Sequence, residues 1–427
     1  MPNMEKKNNK LIKRIVFGVN TKTLIITFLV FCFCFQISFS TDISIWPKEI
    51  KFNYEPGYSN DAITLKKDND NYVPVPEWIK GEQENEKCAY IKGQSNRKIQ
   101  VKFDSNSDNM NFLVKATVIT GEGIGEVCEG FISECDLDEN RWITLDLNGS
   151  LPSSVGIRTF DWKWEATALP MNSPYCPIVC VPCTTTHTYY TLLAAPQDPL
   201  DEPWTSVLDY ACDWASGQTT ASGAATEITE SLYESGFYYE ASSGYPQYGD
   251  SWNSFLLTDF LSDLGSSFDV NCLDMAKAVT TFSNAIGADL TLTRFHSTLG
   301  VRYPLNYIDP IGSTSATNNT FSSPLIGNDC RTGGFGYHAF AEDDNNYVWD
   351  ATLRYDTDAN PDNVSNSNPN CGNSTTGEDW ELPCYIAESE YLIRLVDSWT
   401  KYDNEFIIDC SDPSDCGYLT TNEIYVE

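Results

Sequence analysis

The chain has 427 residues, 41% of them hydrophobic, which is length for about two or three domains and apolar material for real cores, so wholesale disorder is excluded. Lys and Arg number 27 against 60 Asp and Glu, a formal net charge of -33. That surface repels a duplex or a polyphosphate and argues against nucleic acid as a partner; it suits a saline medium, cationic substrates or divalent ions, and composition does not choose among these.

At the amino terminus Lys6, Lys7, Lys10, Lys13, Arg14 and Lys22 precede an apolar run from Leu24 to Phe35, and Ser38-Phe39-Ser40 offers the small-x-small pattern of a signal peptidase site. Residues 1–40 therefore read as a signal peptide, with an uncleaved anchor extending through Phe39 as the alternative. The run is shorter than the roughly 20 apolar residues of a spanning helix, and no later segment is membrane-like. The expectation is a secreted protein, extracellular or periplasmic, with no membrane attachment after cleavage. Loss of the six basic residues and Glu5 takes the charge from -33 to -38. Of 15 cysteines, Cys32 and Cys34 leave with the leader and 13 remain, an odd number that predicts disulfides plus at least one unpaired thiol. Cys128 with Cys135 and Cys410 with Cys416 are plausible short-range bridges.

From Asp42 to about residue 168 the pattern has period two. Ile99, Val101 and Phe103 alternate with polar residues, as do Phe112, Val114, Ala116 and Val118, and then Phe160, Trp162, Trp164 and Ala166. Asp104 to Asn109 and Asn148-Gly149-Ser150 supply turns. This spacing predicts an accessory antiparallel β-sandwich over 42–168. Pro170, Pro174, Pro177 and Pro182 mark a connecting segment. The period then becomes helical: Trp204, Val207, Leu208, Ala211 and Ala215; Ala225, Ile228 and Leu232; Leu256, Leu257, Phe260, Leu261 and Leu264. Strand-like alternation returns after Gly336, so 169–427 reads as a second, α+β domain with helices first and sheet afterwards. Residues 356–377 read as a long surface loop.

The chain has three histidines, His187, His296 and His338. Asp269 or Asn271 can cap a helix with apolar positions Met275, Val279, Phe282 and Ile286, which puts Cys272 at the start of a buried helix. Unsatisfied amides and the helix dipole favour thiolate there, the requirement for a nucleophilic cysteine; a buried or bridged structural cysteine is the competing reading. Further on, Tyr337 to Glu342 and Tyr347 to Thr352 flank an Asp/Asn turn and predict a hairpin. With a three-residue loop Glu342 faces Asn346 and His338 faces Asp350, and a carboxylate beside an imidazole on one sheet face fixes its tautomer. The competing reading is two polar surface residues.

Cysteine at the head of a helix that Gly287 ends, then a His strand and a Trp349-Asp350-Ala351-Thr352 strand, resembles the transglutaminase-like superfamily of papain-like folds. The resemblance covers roughly 185–400, its first block Cys272 to Leu290 and the other two Tyr337 to Thr352. Thr186 to Tyr190 and Pro203-Trp204 look like the beginning of such domains in bacterial secreted proteins. The resemblance implies a transglutaminase-like catalytic domain acting on a protein or peptide substrate by acyl transfer through a thioester. In it Cys272 is the nucleophile, His338 the proton carrier and Asp350 the orienting residue, with no cofactor or metal. An amine acceptor gives crosslinking; water gives deamidation or peptide hydrolysis. The superfamily also includes peptidases, amidases and inactive members, so a non-catalytic adhesion or matrix module stands as the alternative. An oxyanion donor is available in the Cys272 N–H, with Tyr245, Gln247 or Trp252 as side-chain candidates.

Other signals are weaker. Cys176, Cys180, Cys183 and His187 have the spacing of a zinc site, but an oxidising compartment favours disulfides. His296 lacks a carboxylate at hairpin distance. Asp356, Asp358 and Asn360 imitate the first half of a calcium loop, but Pro361 stands where glycine is needed and Ser367 where the bidentate glutamate belongs.

Overall fold

Alternating apolar residues build the first half of the chain into strands. The structure, a computed structural model, describes residues 43–54, 61–107, 110–170, 178–180, 182–240, 244–249, 253–297, 303–304, 308–312, 334–356, 380–396, 399–402, 406–409 and 417–427. The leader, Cys176, Cys410, Cys416, Trp252 and the calcium-like stretch after Asp356 lie outside them. Ten strands are β1 (Ile45–Lys51), β2 (Trp78–Ile79), β3 (Cys88–Ile91), β4 (Lys98–Ser105), β5 (Met110–Gly121), β6 (Glu126–Ile132), β7 (Ile143–Asn148), β8 (Gly156–Pro170), β9 (Ile178–Val179) and β10 (Cys183–Leu192). They form one sheet in the order β2-β1-β4-β7-β6-β5-β8-β10-β3, with β9 on β8.

The spacing predicts two stacked sheets; the structure has one hydrogen-bonded sheet that curls over its own core. Bulges in β5 at Val114/Ala116 and Val118/Thr120 supply local bends. Ile99, Val101 and Phe103 of β4 thereby share a core with Phe112 and Val114 of β5 and with Trp162 and Trp164 of β8. Strands far apart in the sheet order meet across this core: the rings of Trp78 on β2 and His187 on β10 are 5.7 Å apart, and those of Phe103 on β4 and Trp164 on β8 are 5.6 Å apart.

Strand β10 lies beyond the boundary expected at 168/169 yet joins the first sheet. It pairs antiparallel with β8 and parallel with β3, and its two faces serve different cores. Tyr189 joins the core of the curled sheet, whereas Tyr190 and Leu192 join the core of the second half. The period-two geometry of a strand buried on both faces makes this possible.

A short helix, α1 (Glu134–Asp138), is closed by a reciprocal Ser133–Asp136 cap. The helical stripes become α2 (Thr205–Trp214), α3 (Ala221–Tyr233) and α4 (Leu257–Asp263), which bury Val207, Leu208 and Ala211, then Ala225, Ile228 and Leu232, then Leu257 and Phe260. Next come α5 (Cys272–Ala285) and α6 (Glu388–Leu395). A five-stranded antiparallel sheet comprises β11 (Thr291–Ser297), β12 (Tyr337–Glu342), β13 (Tyr347–Trp349), β14 (Cys384–Ala387) and β15 (Gly417–Asn422), in the order β14-β13-β12-β11-β15. The molecule is thus a mixed α+β fold. No helix among the described residues is long and apolar enough to cross a membrane.

All 14 residues of α5 are buried, between α2 and α3 and the five-stranded sheet. Two of its polar members are satisfied by backbone carbonyls: Lys277 donates to the Ser254 carbonyl, and Asn284 donates to the carbonyls of Asp198 and Leu290, at 2.7 Å each. Gly287 ends it with φ +82°, and a Cβ there would stand 2.7 Å from the Ala194 carbonyl carbon and oxygen. Gly287→Ala is therefore expected to cost at least about 1–2 kcal/mol, the left-handed penalty alone. Urea unfolding checks this, and an unchanged midpoint contradicts it.

Candidate active site

The start of α5 is set by Asn271, whose Oδ1 accepts the Leu273 N–H at 2.9 Å and the Asp274 N–H at 3.0 Å. Asp274 returns the bond by accepting the Asn271 N–H at 3.1 Å. Its carboxylate also takes the Gln247 and Tyr248 amides at 2.9 and 3.1 Å, so the 244–249 segment is tied to the head of the helix; burial pushes the Asp274 carboxyl up. This cap puts Cys272 at the first helical position, 2% exposed and with a free thiol.

His338 lies on β12, the strand against which α5 packs. The hairpin register differs from the predicted one by two residues: Ala341 faces Trp349 and Glu342 faces Val348. Asp343 causes the shift. Its Oδ1 accepts the Asn345 and Tyr347 amides, each at 2.9 Å, and its N–H reaches the Tyr347 carbonyl at 3.0 Å, which makes a longer turn. A shift of two preserves the face, so His338 and Asp350 become diagonal neighbours instead of direct opposites. Their contact is made: His338 Nε2 is 2.8 Å from Asp350 Oδ2, with the side chains 0% and 1% exposed.

The carboxylate has two further donors. Tyr391 on α6 donates its hydroxyl to Oδ2 at 2.7 Å, and the Thr352 N–H donates to Oδ1 at 2.7 Å. Burial by itself would push the His338 imidazole down; the charges of Asp350 and then of Cys272 outweigh it and carry the ring up to about 10. The Cys272 side chain is close enough for its charge to act on the His338 ring. Cys272, His338 and Asp350, separated in sequence by 66 and 12 residues, are therefore brought together.

Sequence reasoning missed Tyr391, Tyr337 and Arg294. Nothing in the α6 pattern distinguishes Tyr391 from an ordinary core residue, since its partner is 41 residues away. The Tyr337 hydroxyl accepts from Asn271 Nδ2 at 3.4 Å, and burial first, then the charge of Cys272, pushes it up. Arg294, 6% exposed on β11, donates Nε to Asn422 Oδ1 at 2.9 Å; burial pushes it down, opposed by the charges of Tyr337 and Cys272. Its neighbour His296 is turned to other company, with Nε2 2.9 Å from Thr420 Oγ1 and its ring stacked on Tyr418 at 5.3 Å. Of the side-chain oxyanion candidates, Tyr245 is 72% exposed and Gln247 Nε2 donates to the Tyr245 carbonyl at 3.2 Å.

His187 belongs to the core of the curled sheet. Its ring sits among Phe52, Phe160 and Trp162 at 5.2, 5.4 and 5.0 Å, Nε2 meets Thr185 Oγ1 at 2.7 Å, and burial drives its pKa to about 3. Among the described residues no group of three or more His, Cys, Asp and Glu could hold a metal ion. Cys128 and Cys135, a plausible bridge by spacing, both carry free thiols.

Two outcomes follow from these contacts. Tyr391→Phe leaves the buried Asp350 carboxylate short of one donor and is expected to cost about 1.5–3 kcal/mol, the range for a hydrogen bond to a charged group, as read by urea unfolding; a cost near zero contradicts the arrangement. Glu342, at the end of β12, is pushed up to about 7 by burial, reinforced by the facing Glu388 carboxylate. A raised carboxyl contributes stability that is complete below its ordinary range and is lost as pH rises through about 7. Stability should thus fall from pH ~5 to ~8, and Glu342→Gln should flatten that slope in unfolding experiments.

No protein-family model matches the chain, and no curated protein sequence does. Among solved structures the chain is similar to the crystal structure of red sea bream transglutaminase, at 10% identity and a TM-score of 0.35, over 71% of this chain and 52% of that one. The chain therefore spans about half the length of that transglutaminase.

Proposed function

We propose that the protein is a secreted transglutaminase-like cysteine enzyme that transfers or hydrolyses acyl groups of protein or peptide amides. The observation that carries this reading is the His338 ring held between the Asp350 carboxylate and the Cys272 side chain. Nucleophile, proton carrier and orienter stand in the roles that such chemistry needs.

In the reaction the Cys272 proton already rests on the His338 ring, and Sγ bonds as a thiolate to the carbonyl carbon of the substrate amide. His338 returns that proton to the leaving nitrogen as the C–N bond breaks, and a thioester remains. An amine or water then attacks the thioester, His338 takes the incoming proton, and the C–S bond breaks to leave the Cys272 thiolate beside the protonated ring. Asp350 accepts a hydrogen bond from Nε2, which leaves Nδ1 for the proton traffic with sulfur. Asn271 already holds the Leu273 and Asp274 amides, so the Cys272 N–H is the backbone donor we assign to the oxyanion.

A second reading, a non-catalytic module that keeps the fold, draws on burial: Cys272, His338 and Asp350 are 2%, 0% and 1% exposed. Alkylation separates the two. An enzyme should have Cys272 modified by iodoacetamide in the folded full-length protein faster than Cys128 and Cys135; resistance until unfolding supports the module.

The activity test is a glutamine peptide with a fluorescent amine, followed beside ammonia release and peptide cleavage. Cys272→Ala should abolish turnover, His338→Ala should lower it by about 10²–10⁴-fold, and Asp350→Asn should lose less than His338→Ala. Unchanged turnover in Cys272→Ala refutes the reading.

A further inference from the structure

A cavity of about 470 Å³ lies between the Lys66 segment, the Asp198–Trp204 turn, helix α5 and the carboxy-terminal residues 422–426. Its size falls within the range of small-ligand sites. Four carboxylates line it, Asp198, Asp201, Glu202 and Glu423, against one ammonium, Lys66, an excess of three negative charges. Lys66 is already paired with Glu202 at 2.9 Å, and Glu202 also accepts the Tyr72 hydroxyl at 2.9 Å. Leu290 and Ile424 give the wall apolar surface between the acids. Thr280 of α5 forms part of the wall; it is 3% exposed, and its hydroxyl has no hydrogen-bond partner among the described residues. A buried hydroxyl without a partner costs stability unless something meets it.

We propose that this cavity binds a small linear diamine or polyamine, independently of the chemistry at Cys272. The carboxylates are spread around the wall and do not converge: no cluster of three or more metal-ligating side chains exists among the described residues, which disfavours a divalent ion needing several oxygens in one shell. An extended chain with ammonium groups at intervals matches separated acids, its methylenes lie on Leu290 and Ile424, and one N–H supplies the Thr280 hydroxyl with a donor.

Titration calorimetry of the full-length Cys272→Ala protein with spermidine tests this without turnover. The expected result is saturable binding of one spermidine per chain, weakening as salt rises. Asp201→Asn combined with Glu423→Gln, both on exposed side chains, should weaken it by about tenfold. Thr280→Val should weaken it with no change of charge, whereas Glu126→Gln combined with Glu129→Gln, on β6 and lining no part of the cavity, should leave it unchanged. Absence of saturable binding overturns the proposal. So does multi-site binding that the β6 variant weakens equally, which is attraction to acidic surface in general, or displacement of spermidine by an equal concentration of Mg²⁺.

Discussion

The contact between His338 and Asp350 is the constraint around which the second half of the chain is arranged. Two ionisable side chains fully removed from water are costly unless each finds opposite charge and hydrogen bonds. Asp350 accepts from His338, from Tyr391 and from the Thr352 backbone, three donors drawn from a strand, a helix and a turn. The imidazole in turn is raised by the charge of the nearby Cys272 side chain, and that residue is placed by the cap at the head of α5. Displacing any one of these elements leaves a buried charge uncompensated. The geometry at the centre thus depends on α5, α6 and the five-stranded sheet at once, which is why local sequence signals can suggest it but not complete it.

The two halves of the chain are joined through strands β3 and β10. Alternate residues of β10 enter different cores, with His187 and Tyr189 on one side and Tyr190 and Leu192 on the other. Tyr190 also donates its hydroxyl to Asp209 of α2 at 2.7 Å, and Lys87 pairs with the same carboxylate. The curled sheet therefore supplies a wall against which the helices pack, and α2 in turn packs on α5. His187 illustrates how environment overrides residue type: an imidazole surrounded by aromatic rings is held neutral, while the one beside Asp350 is held charged.

Much of the candidate site was legible because its signals are local. Asn271, Cys272 and Asp274 spell a helix start in four consecutive residues, and Gly287 spells its end. The facing of His338 and Asp350 depends only on the parity of the hairpin, so it survived a turn two residues longer than predicted. What sequence could not supply is long-range. Tyr391 becomes a partner of Asp350 only after α6 folds onto the sheet. The bulges in β5 that bend the first sheet are not marked by alternation, and neither is the sharing of β10, which pairs with β8 of that sheet while Tyr190 and Leu192 enter the second core.

With three histidines in the chain, the charge state at the centre can be read directly by ring-nitrogen NMR across a pH titration. Burial lowers His187 and His296, whereas His338 alone is raised, to about 10. The account predicts one imidazole that stays protonated well above its ordinary pKa of about 6.5 and whose midpoint falls when Cys272 is replaced by alanine. Three rings titrating at or below that ordinary value, unchanged by the replacement, would contradict it.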